Sequence, residues 1–420
     1  MRQAAPGSVA VVGAGPSGLI AALSLAANGV AVQLIGARPG AEALAADTRS
    51  TALFGASLDL LDHIGALGAI GGQATPLSGL RLIDATGGLL RAPEVLFQAH
   101  EIGVGAFGCN IENRVLNRVL WELVEANGCV RCRAGAATAV RPDAMGVAVE
   151  MSDGTVFDVQ LVVGADGERS LCRAAAGIAA RTWSYPQAAI ATRFAHERPH
   201  GGISTEFHRR AGPLTTVPLT PVETGGNRSS LVWVETPAEA GRLAGLDDVE
   251  FAIALEAALA GVLGAVSDIG RRAVFPLAGL TAVRFAGQRV ALVGEAGHRL
   301  PPIGAQGLNL GVRDAAWLAE IVGAAVAEGR DPGGADVLEA YDRARRGDVG
   351  ARTAAVDGLN RSLIADLLPM DMVRGAGLLA LNGLPWLRRL VMREGVAPGG
   401  PLPRLLRPVG DKSACGGAEA

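Results

Sequence analysis

Apolar residues fill the first stretch of the chain so completely that no charge occurs from Gln3 to Ala37. A run of that length has the hydropathy of a membrane span. Gly13, Gly15, Pro16 and Gly18 interrupt its middle, however, and Asn28-Gly29 marks a turn. The pattern therefore predicts a short buried strand over 8–12, a helix over 16–28 and a second buried strand over 30–35. Such a unit pairs its strands in parallel through a right-handed crossover. Neither a signal peptide nor a spanning helix is expected. Further on, apolar residues recur at spacings of three and four over 51–64 and 112–127, which predicts helices. Asp153-Gly154 is a strong turn pair and predicts a hairpin over 147–163.

From 181 to 275 the texture changes. Strand-like runs such as 188–194 and 230–234 alternate with Pro and Gly clusters, which predicts a mostly β second domain. A helix with alanines and leucines on its inner face is expected over 247–265. A buried strand over 288–293 and helices over 307–327 and 337–360 return to the earlier pattern. No repeat period is visible. Residues 399–420, rich in Pro, Gly and small side chains, read as a loose tail.

At 420 residues the chain exceeds one ordinary core, so about two domains are expected. Hydrophobic residues make up 49% and charged residues 19%, a globular composition. The net charge of −3 offers no field for nucleic acid. Five cysteines are too few for a secreted disulfide framework. Cys129 and Cys132 are spaced like half a zinc site, but on a strand their side chains face opposite ways. No second Cys or His pair stands at ligand spacing, so no metal is expected.

Gly13-Ala14-Gly15-Pro16-Ser17-Gly18 follows an apolar strand and opens a helix. Its glycines permit a tight turn and close approach to a pyrophosphate, and the helix start supplies free N–H groups. An acidic residue normally closes the second strand and holds the adenosine ribose. Here Val32-Gln33-Leu34-Ile35 ends in Gly36, so backbone, water or another residue must make that contact. Gly103-Val104-Gly105-Ala106-Phe107-Gly108 fits the same spacing but follows no apolar strand, and is discounted.

Two further signatures lie downstream. Leu161-Val162-Val163-Gly164-Ala165-Asp166-Gly167 sets an Asp-Gly directly after a buried strand. With Arg173 one helical turn on, Asp166 is read as part of a turn touching a cofactor phosphate rather than as an ordinary β-turn. The segment from Gly294 to Gly311 contains Glu295, a stiff Pro301-Pro302, and a glycine loop leading into a helix. Free N–H groups near Leu308 and Asn309 can stabilise negative charge on a bound group. His298 is read as a packing and hydrogen-bonding residue in preference to a catalytic base.

Together these signatures resemble the aromatic-ring hydroxylase family of FAD-dependent monooxygenases, over almost the whole chain. Within that family the similarity is greatest to the ubiquinone-biosynthesis hydroxylases. It rests on Asp47-Thr48-Arg49-Ser50-Thr51-Ala52-Leu53, Gly108-Cys109-Asn110-Ile111-Glu112-Asn113-Arg114, Pro302-Ile303-Gly304-Ala305-Gln306-Gly307-Leu308-Asn309, Asp357-Gly358-Leu359-Asn360-Arg361 and Leu387-Arg388-Arg389-Leu390-Val391-Met392-Arg393-Glu394-Gly395.

The resemblance implies an α/β fold: a Rossmann-like FAD-binding domain, an inserted and mostly antiparallel β substrate domain, and a C-terminal helical region. The expected FAD-binding domain takes in 1–75, 101–180 and 276–365. The substrate domain takes in 76–100 and 181–275, the helical region 366–398 and a flexible tail 399–420. In this family NAD(P)H reduces FAD, O2 adds to give a flavin hydroperoxide, and one oxygen passes to an electron-rich ring. Carried over by position, Gly13, Gly15 and Gly18 would touch the ADP half, with Arg49 and Asn113 near the cofactor. Asp166 belongs to a turn serving both FAD and NAD(P)H, and Glu295 replaces the usual aspartate on the ribityl chain. His298, Pro302, Gly304 and Gln306 would surround the flavin ring, and Gly307, Leu308 and Asn309 would bind it.

The implied substrate is a polyprenylated phenol or quinone precursor of ubiquinone. Such a molecule sits in the bilayer, so the enzyme is expected in the cytoplasm, peripheral on the inner face of the membrane. Other ubiquinone-biosynthesis proteins are expected partners. The stretch 370–395 sets Leu378, Leu379, Leu381, Leu384, Trp386, Leu387, Leu390 and Val391 among Arg374, Arg388, Arg389 and Arg393, as an interfacial amphipathic helix would. A prenyl reductase and a non-catalytic FAD-binding component of a complex are the alternatives. A flavin halogenase would need an active-site lysine, and the one lysine here is Lys412 in the tail.

Overall fold

The computed structural model describes residues 5–87, 93–221, 225–364, 383–396 and 400–410. Its centre is a six-stranded sheet in the order Ala286–Gly287, Val290–Leu292, Leu161–Gly164, Val9–Val12, Val32–Ile35, Val130–Arg133. All pairs are parallel except the antiparallel edge strand Ala286–Gly287. Val9–Val12 and Leu161–Gly164 are buried along their whole length, as strands covered on both faces must be. Val9 and Val11 pack towards the helices Pro16–Ala27, Asn113–Ala126 and Gln306–Ala327. Ala10 and Val12 point the other way, onto the antiparallel sheet Ala137–Pro142, Val147–Met151, Val156–Val159.

A second, nine-stranded sheet carries Gly79–Asp84, Val95–Gln98, Ala180–His196, Ile203–His208, Leu214–Leu219 and Asn227–Glu235, continues through Ala273–Ala282 and His298–Arg299, and adds the short Val266–Ser267 beside Ala180–His196. Most of its pairs are antiparallel, but Gly79–Asp84 joins Ile203–His208 in parallel. Ile190, Phe207, Leu231 and Trp233 pack on one side against the helices Pro237–Ala244 and Asp248–Ala258. The alternate residues face a large cavity. A small sheet, Ser50–Phe54, Gly108–Glu112 and Thr75–Leu77, bridges the two, and Ser50 Oγ donates to Ser230 Oγ at 2.7 Å.

Three of the expected elements change. Residues 51–64 are not one helix: Ser50–Phe54 is a strand, and the helix is Gly55–His63. Pairing with Gly108–Glu112 overrides the helical period. Gly108 permits it, because a Cβ there would stand 2.0 Å from the Leu53 carbonyl oxygen. The hairpin ends at Val159, and Leu161–Gly164 leaves it for the parallel sheet. The helix after Asp247 stops at Ala258, because the chain turns at Gly261 and Gly264 with φ of +74° and +73°.

The helices Gln306–Ala327 and Ala335–Ile364 follow, and Pro385–Val396 lies further on. Arg374, Leu378, Leu379 and Leu381 fall outside the described residues. The segment expected as a loose tail is anchored at its start. Leu405 and Leu406 are buried, and the Arg404 N–H donates to Glu320 at 2.6 Å. Among the described residues, no helix is long and apolar enough to cross a membrane.

Candidate active site

A cavity of about 810 Å³ opens where the parallel strands end and is floored by the second sheet. The parallel-strand order reverses between Val9–Val12 and Leu161–Gly164, and ligands of such sheets bind at that crevice. Gly13 and Ala165 make the crevice tight. Gly13 has φ +106°, and a Cβ on it would lie 2.2 Å from the Ala165 carbonyl oxygen. Gly15 closes the turn as the N-cap of Pro16–Ala27, with open space above it and no side chain capping the first turn.

The two glycine signatures interlock at Ser17. Its Oγ occupies the space where a Cβ on Gly294 or Gly311 would go, at 2.6 and 2.8 Å. A side chain at Gly294 would meet Ser17 Cβ as well, at 2.9 Å, and push the strand-end turn away from the helix capped by Gly15, while one at Gly311 would crowd the Ser17 hydroxyl from the helix Gln306–Ala327. The distant segments therefore form one wall, lined by Gly15, Ser17, Gly294 and Glu295. Across from it the helix Gln306–Ala327 begins at the cavity. Gly304, Gln306, Gly307 and Leu308 line it, and no side chain caps this helix start. Its first N–H groups have no intrahelical partner and carry the partial positive charge of a helix start.

The cavity brings together Gly15, Arg49, Asn113, Glu295, Pro302, Gly304, Gln306, Gly307 and Leu308 from the expected set. Arg49 grips Asp47 through two bonds of 2.8 Å and stands 5.5 Å from the centre of the Phe275 ring. The hydrogen bond to Asp47 raises the Arg49 pKa against the opposing effect of burial. Asn113 accepts from Thr51 Oγ at 2.7 Å.

Gly13, Gly18, Asp166, His298 and Asn309 stand behind the wall. A Cβ on Gly18 would meet the Gly13 carbonyl oxygen at 1.9 Å. The Asp166 carboxylate turns away to accept from Ser170 Oγ at 2.5 Å and the Cys172 N–H at 3.0 Å, while Ala165 and Gly167 line the cavity. Arg173 donates to the carbonyls of Ala296 and Glu168. Asn309 staples its helix to the strand Ser50–Phe54: it donates to the Ala52 carbonyl at 2.8 Å and accepts from Ser57 at 2.7 Å.

His298 opens a buried polar chain that sequence reasoning missed. Its Nε2 meets Asp314 at 2.6 Å, and Asp314 also accepts from the Gly294 N–H at 2.9 Å and from Arg345 at 2.6 Å. Arg345 continues to Asp348, Asp348 accepts from Arg352, and Arg352 donates to Gln306, each at 2.9 Å. Gln306 closes the chain on the Gly304 carbonyl at 2.9 Å. Burial would raise the Asp314 carboxyl, but His298 and Arg345 hold it below the ordinary value. The available signal was the spacing of Arg345, Asp348 and Arg352, which puts three charges on one inward face of a helix.

The sequence matches a family model described as an FAD binding domain over residues 7–355. The chain belongs to the aromatic-ring hydroxylase family of FAD-dependent monooxygenases. It is 37% identical to the ubiquinone hydroxylase UbiL of Rhodospirillum rubrum over 96% of this chain and 92% of that protein. It is 29% identical to the 3-demethoxyubiquinol 3-hydroxylase of Escherichia coli, over 92% of this chain and 98% of the relative. Its fold matches the p-nitrophenol 4-monooxygenase of Pseudomonas putida with a TM-score of 0.75, at 21% identity, covering 94% of this chain and 98% of that one.

The aromatic hydroxylase uses FAD, with NAD(P)H as the donor typical of the family, and takes an aromatic substrate and O2. The residues present fit that cofactor. Gly13 and Gly18 pack where only glycine fits, Gly15 leaves a helix start open, and a second uncapped helix start faces the same cavity. Gly36 explains the missing acid. A Cβ there would stand 2.4 Å from the Ala14 Cβ, so no carboxylate can project from this position without moving the cradle.

Proposed function

We propose that this monooxygenase hydroxylates the ring of a polyprenylated phenol or quinone precursor in ubiquinone biosynthesis. One observation carries the reading: the open helix starts share a single cavity with an apolar wall that extends to the C-terminal helix. Leu80, Phe97, Phe107, Val391 and Met392 line that wall. A prenyl chain needs apolar surface of this kind, and two full-length relatives are named for ubiquinone-type substrates.

When bound, FAD would supply electron transfer from NAD(P)H to O2 and deliver one oxygen atom to the ring. In this reading Gly15 and the first turn of Pro16–Ala27 hold the pyrophosphate. Arg49 and Asn113 flank the cofactor, and Glu295 holds the ribityl hydroxyls. The helix start at Gln306–Leu308 stabilises negative charge on the reduced ring. Gly13, Gly18, Asp166 and Asn309 act from behind by fixing the turns, and Asp314 fixes His298. Pro302 and Gly304 set the loop that covers the ring and keeps water out.

The division into a discontinuous cofactor domain and an inserted β substrate domain belongs to the same proposal. So does attachment at the cytoplasmic membrane face beside other ubiquinone-biosynthesis proteins. Trp386 and Leu390, 65% and 52% exposed beside Arg389 and Arg393, support attachment at a lipid surface.

The test is turnover of the purified FAD-loaded protein with NAD(P)H, labelled O2 and a polyprenylated phenol. One labelled oxygen on the ring is expected. Flavin reduction without any oxygenated product, across phenol and quinol substrates, would overturn the reading.

A further inference from the structure

The floor of the cavity carries one carboxylate, Glu206, which no part of the reading above uses. It lies on the strand Ile203–His208 with Ser204, on the face that also presents Thr215, Val217 and Val232 to the cavity. Its side chain is buried, only 9% exposed. His208 Nε2 lies 2.8 Å from Oε1, and Thr215 Oγ donates to Oε2 at 3.3 Å. Among the described residues its side-chain hydrogen-bond partners are this histidine and Thr215, with no arginine on it. His208 Nδ1 is itself buried with no hydrogen-bond partner, so the dyad does not complete its bonding within the protein. The cations around the cavity are held elsewhere: Arg49 by Asp47, and Arg299 by Glu168.

We infer that Glu206, held by His208 and Thr215, determines which aromatic rings the cavity admits: it accepts a hydrogen bond from a ring hydroxyl and turns away rings that carry a carboxylate. A carboxylate in an apolar cavity is a strong acceptor for a phenolic O–H. The same charge repels a second carboxylate brought into that low-dielectric space. Specificity built this way works by exclusion as much as by attraction. The inference rests on the phenol reading above and narrows it to uncharged, hydroxyl-bearing rings.

The test compares an ortho-prenylated phenol with the same ring bearing a para carboxylate. Binding to the FAD-loaded protein is followed by the change in flavin absorption, and turnover by kcat/KM. The wild-type protein is expected to prefer the uncharged ring by about tenfold or more. Glu206→Gln keeps the shape and removes the charge, and is expected to shrink that preference at least about threefold while FAD stays bound. Glu206→Met, of similar volume, replaces it if the glutamine variant does not hold FAD. Equal wild-type binding of both rings, or a preference unchanged in the variant, overturns the inference. Binding of neither ring by protein that retains FAD overturns the phenol reading itself.

Discussion

At the scale of single residues, the site depends on positions that must lack a side chain and on charges that must stay paired. Gly36 is the clearest case of the first. The sequence showed the missing acid but not its cause, because contact with Ala14 is a three-dimensional fact. Gly36→Asp, which restores the usual residue, is therefore expected to weaken FAD binding by about tenfold, ~1.4 kcal/mol. Fluorescence titration with FAD checks it, and tighter binding would refute the steric account. Asp348 is the clearest case of the second. Burial pushes its carboxyl up, but Arg345, Arg313 and Arg352 outweigh burial and bring it from 3.8 down to about 2. A depressed folded-state value means that the stabilisation is fully present above pH 3.8 and disappears as pH falls towards 2. Asp348→Asn is expected to cost about 2 kcal/mol near neutral pH and to flatten the acid unfolding curve in that window. Denaturant melts at a series of pH values measure both effects. Glycine spacing and turn pairs were legible in the sequence. The partners of Asp314 were not, since Gly294, His298 and Arg345 lie on other elements, and neither were Arg313 beside Asp348 and Thr215 beside Glu206.

At the scale of elements, periodicity read the long helices and the first crossover well, because each buries one consistent face. It failed at Ser50–Phe54, where pairing to a strand far along the chain decides the conformation. The C-terminal helix Pro385–Val396 shows how both faces of one element are used. Inward, Met392 is buried beside Phe97 and Phe107, and Arg388 reaches Glu101 at 2.6 Å and stands 5.1 Å from the centre of the Phe97 ring. Outward, Trp386 and Leu390 are exposed. An arginine-bearing helix was legible from composition, while its place against Phe97 was not. Replacing Trp386 and Leu390 together by serine is expected to reduce co-sedimentation with anionic lipid vesicles by about fivefold, with FAD content retained. Unchanged sedimentation would remove the membrane role from this helix.

At the scale of the whole molecule, cofactor and chain are thermodynamically coupled. FAD at one hundred times its dissociation constant should add about 2.7 kcal/mol of stability, so stripping it should lower Tm by several degrees. Calorimetry with and without added FAD reads this directly, and an identical Tm would argue against a cavity that binds it. The α/β class and the shared cavity were legible because both glycine signatures carry their own local geometry. The continuity of the second sheet past residue 275 was not, since Ala273–Ala282 is read only through its pairing with Ala180–His196. The origin of the cavity walls has a further consequence. They are drawn from Gly15 near the start, Glu206 mid-chain, Glu295 later, and Met392 close to the end. A ribosome emits roughly 5–20 residues per second. The segments that wall the chamber therefore leave the ribosome many seconds apart, so a chamber drawn from all four cannot enclose the yellow nucleotide until late in synthesis.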